Sequence, residues 1–167
     1  MKSLLFLLMA LSPFPGDESP LSKSNAEFAK HWAAARKLAM AVAEAMPPDN
    51  YEFKTDPGAM SFGGQLTHLA QANYAFCAGL KDSQPPALPP PAGKQSVAKY
   101  LADSFDYCTP VISTLTQQQL DATHSSPDGR LTGREILLAM YGHMAHHRAA
   151  AEVYLRVKGI QPPSYIF

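Results

Sequence analysis

The sequence predicts an all-α protein, a four-helix bundle with long crossover connections. Three observations carry that prediction. Four stretches repeat apolar residues at three- and four-residue spacing, the period of a helix with one buried face. Prolines and glycines separate those stretches, and nothing between them reads as a convincing strand. Of the 167 residues, 46% are apolar and 17% charged, which suits one domain with a real core and argues against a disordered chain.

The first helix is expected from about Ser22 to Met46. Phe28, Trp32, Ala35, Leu38, Ala39, Val42 and Met46 form its stripe, and Pro47-Pro48 stops it. The second is expected from about Ser61 to Leu80. The Ser61 hydroxyl can accept an orphan backbone N–H of the first turn, and Phe62, Leu66, Leu69, Phe76 and Leu80 make the apolar face.

A proline-rich linker follows, from Ser83 to Gly93. Extended at about 3.1 Å per residue, it covers roughly 34 Å, about the length of a 20-residue helix. It can cross the whole bundle, so that helices two and three run parallel. The third helix is expected from about Lys94 to Leu115, kinked or ended locally at Pro110. Thr116 to Asp121 can add a short turn, and Ser125-Ser126-Pro127-Asp128-Gly129 reads as a loop. The fourth helix begins near Thr132, where Thr132 and Glu135 match a capping box. It ends near Lys158, with Gly159 just beyond it and Pro162-Pro163 following.

The N-terminus stands apart. Met1 and Lys2 precede an apolar run from Leu4 to Leu11, and Ser12-Pro13-Phe14-Pro15-Gly16 breaks it. The pattern resembles an export signal, although no clean A-x-A triplet follows; the run is too short to span a bilayer. An apolar tail that packs on the bundle is the other reading, with a cytoplasmic protein as its counterpart. Residues 1–16 are therefore set apart from a bundle domain over residues 20–165.

Composition removes several functions. Lys and Arg number 14, as do Asp and Glu, and no basic run exceeds two residues. Nucleic acid needs clustered cations, so it is not an expected partner. No GxGxxG, Walker loop, GxSxG, HExxH or CxxC occurs. The histidines remain.

On a wheel of about 100° per residue starting at Ile136, Tyr154 falls near ~0° and Met140 near ~40°. His143 falls near ~340° and His147 near ~20°, both in the buried stripe, whereas His146 lies near ~280°, off it. Two histidines four apart stack on one face, so their ring nitrogens can reach one ion. Imidazole suits Zn, Ni, Cu or Fe, and two imidazoles fill only half of a four-coordinate shell. Hydrogen-bonded core histidines are the plainer alternative; helices produce HxxxH by chance. Two buried rings nevertheless both need partners, and a shared cation satisfies both. His68, mid-way along the second helix, is the third ligand by location. Periodicity does not single it out: counted from Phe62 it lies near ~240°, while Asn73 lies near ~20°.

The segment from Ser61 to Ala70, SFGGQLTHLA, resembles the second helix of DinB-like (damage-inducible) proteins. HMAHHR from His143, with VYLRVKGIQPP from Val153, resembles that family's last helix and tail. MPPDNYEF from Met46 resembles the connection after its first helix. The resemblance spans roughly Pro20 to Tyr165 and implies a four-helix bundle with long crossovers. It also implies a divalent metal, Zn or Ni by preference, held by His68, His143 and His147. The wider superfamily implies a metal-dependent S-transferase using a low-molecular-weight thiol, or a hydrolase, acting on a small molecule. A non-catalytic metal- or ligand-binding stress-response module is the alternative. Asn73, Gln65 and Tyr154 are candidates to support the ligands or touch a substrate, or are ordinary hydrogen-bonded bundle residues. The chain departs from the family pattern at Ala149-Ala150, where Gly-Gln is usual. A homodimer is one assembly open to such a bundle. Cys77 and Cys108 come to similar height if helices two and three run parallel, and can pair in an exported protein; two small buried residues are the other reading.

Overall fold

A computed structural model describes residues 20–165. The expected export signal or apolar tail over residues 1–16 lies outside them. Four long helices form the body: α1 (Pro20–Ala45), α2 (Phe62–Leu80), α3 (Gly93–Ser113) and α5 (Gly133–Val157). Between α3 and α5 come a short helix, α4 (Gln117–Asp121), and two strands, β1 (Thr123–Ser126) and β2 (Gly129–Thr132).

The helix ends form where their local chemistry puts them. Ser61 accepts a hydrogen bond from the Gly64 N–H, capping α2. Thr132 and Glu135 close a reciprocal capping box on α5. Thr116 and Gln119 do the same on α4. At the other end of α5, Gly159 takes φ 73°, a left-handed conformation that costs glycine least, and Ile160 N–H donates back to Leu155 O. Pro110 does not end α3, which continues to Ser113.

α2 packs on α3 and α5, and both of those pack on α1. Asn73 meets Ser104 and Cys77 meets Cys108, each pair separated by 31 residues, so α2 and α3 run parallel. The proline-rich linker therefore crosses the bundle, as its length allows. α1 runs antiparallel to α3: Trp32 meets Phe105 mid-helix with ring centroids 4.7 Å apart, and Lys94 at the start of α3 binds Glu44 at the end of α1. α5 runs antiparallel to α2, with Phe62 beside Tyr154 and Cys77 beside Met140. Trp32, Phe76, Leu101, Phe105 and Ile136 lie in the core between these helices.

Cys77 and Cys108 form a disulfide. It joins the two helices that the exposed crossover leaves to find each other through 31 residues of sequence.

One expectation fails. Residues 123–132 contain strands, where the sequence suggested none. β1 and β2 pair antiparallel, His124 opposite Leu131 and Ser126 opposite Gly129, with Pro127-Asp128 as the turn. Thr-His-Ser-Ser carries no apolar alternation, so periodicity has nothing to detect. Tertiary contacts hold the hairpin instead. A Cβ on Gly79 would collide with the Ser125 carbonyl, so the bare backbone of α2 admits β1 at close range. His124 is 2% exposed, and its ring spans two elements. Nδ1 lies 2.9 Å from Asp82 Oδ1 and Nε2 lies 2.7 Å from Gln119 O. Both partners accept, so the doubly protonated imidazolium fits best. Burial opposes that charge, but the bonds to Asp82 and Gln119 outweigh it and raise the His124 pKa.

Two outcomes test this architecture. Replacing both cysteines with alanine should destabilise the fold by about 3.5 kcal/mol from restored loop entropy, measured by urea unfolding. For His124, a raised folded-state pKa gives stability that is complete below the unfolded value of about 6.5 and is lost as pH rises through the folded value. Unfolding free energy should therefore fall as pH rises above about 6.5, and fall less in His124→Asn.

Candidate metal centre

Three imidazoles converge in the seam between α2 and α5. α2 supplies His68. α5 supplies His143 and His147, one turn apart on the same face. Antiparallel packing sets His68 opposite both. Ring centroids are 5.0 Å apart for His68 and His143, 4.5 Å for His68 and His147, and 4.4 Å for His143 and His147. One ring nitrogen from each lies within 4.8 Å of the other two. His143 Nε2 is 3.2 Å from His68 Nε2. At most one proton fits between those two atoms, so the remaining inward lone pairs face one another.

Gln65 lies one turn before His68 on α2. Its Oε1 is 2.7 Å from His147 Nδ1. The amide oxygen accepts, so Nδ1 carries the proton and Nε2 keeps its lone pair. Burial is the main cause that lowers the His143 pKa, with His68 and His146 adding to it and Asp128 opposing. The same burial, reinforced by His143, His68 and His146, pushes His147 down to about 4. Both rings are therefore neutral at pH 7, the form that binds a metal.

The other candidates sit elsewhere in the seams. The Asn73 amide donates to Ser104 Oγ across the α2–α3 contact, 1% exposed. Tyr154 donates its hydroxyl to Met60 O at 2.6 Å and packs edge-on against Phe53. His146 is exposed, its ring perpendicular to that of His147. Gln65 thus joins the histidines, while Asn73 and Tyr154 complete bundle contacts.

Two cavities flank His68. One, about 360 Å³, is lined by residues including Glu52, Ser61, Thr67, His68 and Gln71. The other, about 350 Å³, is bordered by His68, His143, Phe76, Pro127 and Asp128. Phe76 meets the His143 ring edge-on at 6.1 Å. Sequence reasoning passed over Glu52, Phe76 and Asp128. The turn chemistry around Asp128 was legible, but its place over the histidines depends on the hairpin contacts.

Fold and site together define a helical-bundle protein with a three-histidine cluster bordered by solvent-open cavities. The DinB family model matches residues 21–166, and the chain belongs to that family. Two solved structures are similar in fold. A DinB-like protein from Bacillus subtilis is 21% identical with a TM-score of 0.70, the match covering 83% of this chain and 97% of that one. A DinB-like protein from Bacillus cereus ATCC 10987 is 16% identical with a TM-score of 0.71, covering 84% of this chain and 95% of that one. No curated protein matches the chain.

NMR titration of metal-free protein tests the cluster. His147 should titrate near 4 rather than at the usual value of about 6.5. Its native state then binds fewer protons than the unfolded chain between those values, so acidification through that window should destabilise the fold.

Proposed function

We propose that this DinB-family chain binds one divalent cation through His68, His143 and His147, and uses it to activate a small-molecule thiol for S-transfer. The observation that carries the reading is the convergence of one ring nitrogen from each of the three histidines to within 4.8 Å of the other two. Neutral imidazoles suit zinc or nickel, and zinc is the first expectation for a three-histidine set with an open position. A bound cation would lower the pKa of a coordinated water or thiol toward neutrality.

The residues divide the remaining work. Gln65 fixes the His147 tautomer and ring angle through its amide oxygen. α2 and α5 hold the ligands on rigid backbone, so little reorganises on binding. The hydrogen-bond partners of the three rings are imidazole and amide groups; Glu52 and Asp128 border the cavities instead. Among the described residues no carboxylate is hydrogen-bonded to one of the three rings, and the thiol reading follows the resemblance to thiol-using relatives. A thiol can lose its proton to solvent once coordinated.

We further propose export. The charged and apolar start of the chain supports it, and so does the Cys77–Cys108 bond, since such bonds persist chiefly in oxidising compartments.

Elemental analysis of purified protein should give one zinc or nickel per chain. Gln65→Leu should weaken metal affinity by roughly 10–100-fold, as expected for a residue that orients a ligand. His147→Ala should weaken it further. Chelation should abolish turnover on thiol-plus-electrophile substrates. Metal binding with no turnover on any of them would instead indicate a non-catalytic binding module.

A further inference from the structure

We propose that the cavity beneath the hairpin turn is the ligand subsite of the histidine centre, and that it selects a small thiol with an apolar body and an amine, with Asp128 as counterion. This rests on the reading of the three histidines as a thiol-activating metal centre.

Both cavities border His68, but only this one also borders His143. A ligand lying in it therefore reaches two of the three imidazoles. Its volume of about 350 Å³ lies in the lower range for small-molecule sites. Ala72, Ala75, Phe76 and Pro127 give it hydrocarbon walls. Among the described residues Asp128 is the one carboxylate on its border, and no Lys or Arg lines it. A ligand tail carrying a carboxylate would meet a like charge with no cation to offset it. An ammonium tail would meet a partner.

The position of Asp128 is set by the fold. Gly79 lets β1 approach α2 closely, and His124 ties the same strand to Asp82 and to Gln119 O. The turn that carries Asp128 is thus anchored to the helix that carries His68. Asp128 itself is exposed, so its effect on a ligand is moderate.

Cobalt(II)-loaded full-length protein tests the proposal. Two thiols of matched length serve as probes, 2-aminoethanethiol with a cationic tail and 3-mercaptopropionate with an anionic one. The thiolate-to-cobalt absorption band reads their dissociation constants. The preference for the aminothiol should shrink about ten-fold in Asp128→Asn and reverse in Asp128→Lys. The intrinsic acidities of the two thiols cancel between variants. Glu52→Gln, on the other cavity, should leave the preference unchanged.

An unchanged preference in both Asp128 variants would overturn the proposal, as would a shift caused by Glu52→Gln instead. Cobalt bound with no thiolate band for either probe would overturn the subsite and leave the metal centre standing. Failure to bind cobalt at all would remove both.

Discussion

In the seam between α2 and α5, side chains from two antiparallel helices must share one register. Phe62 with Tyr154 and Cys77 with Met140 set that register at its two ends. Between those contacts, His68 has no choice but to meet His143 and His147. A slip of one residue would turn each imidazole by about 100° and scatter the ring nitrogens. The apolar packing that stabilises the bundle is therefore also what assembles the polar cluster.

Such a cluster is expensive to bury. Imidazoles taken from water need partners, and three that face one another supply too few protons to satisfy every nitrogen. Gln65 answers for one ring nitrogen and leaves the inward ones to each other. The depressed pKa values of His143 and His147 express the same cost, since burial disfavours their charged forms. His124 resolves its burial the opposite way, with an acceptor on each nitrogen and a raised pKa. Two buried histidine environments in one chain thus shift their pKa values in opposite directions because their neighbours differ.

Much of this was legible in the sequence. Ser61, Thr132 and Gly159 act locally, within a turn of their own backbone, so their roles as caps could be read directly. The linker length foretold the parallel pairing of α2 and α3, and helical periodicity put His143 and His147 on one face. His68 was different. Its angle on the helical wheel lay off the stripe because α2 packs on two neighbours, α3 and α5, and a single stripe describes only one contact. Asn73 lay on the stripe and faces Ser104 on α3. The hairpin escaped notice for a related reason: its strands are polar and short, held by Gly79 and His124 rather than by a pattern of their own.

The disulfide has a consequence for the chain as a covalent object. With Cys77 joined to Cys108, the last turn of α2, the crossover and most of α3 form a closed ring. The crossover is also the stretch where a protease finds exposed backbone, from Lys81 to Pro90. A cut there opens the ring without releasing either half. His68 stays on the N-terminal fragment and His143 and His147 on the C-terminal one, and the sulfur bridge keeps them one molecule.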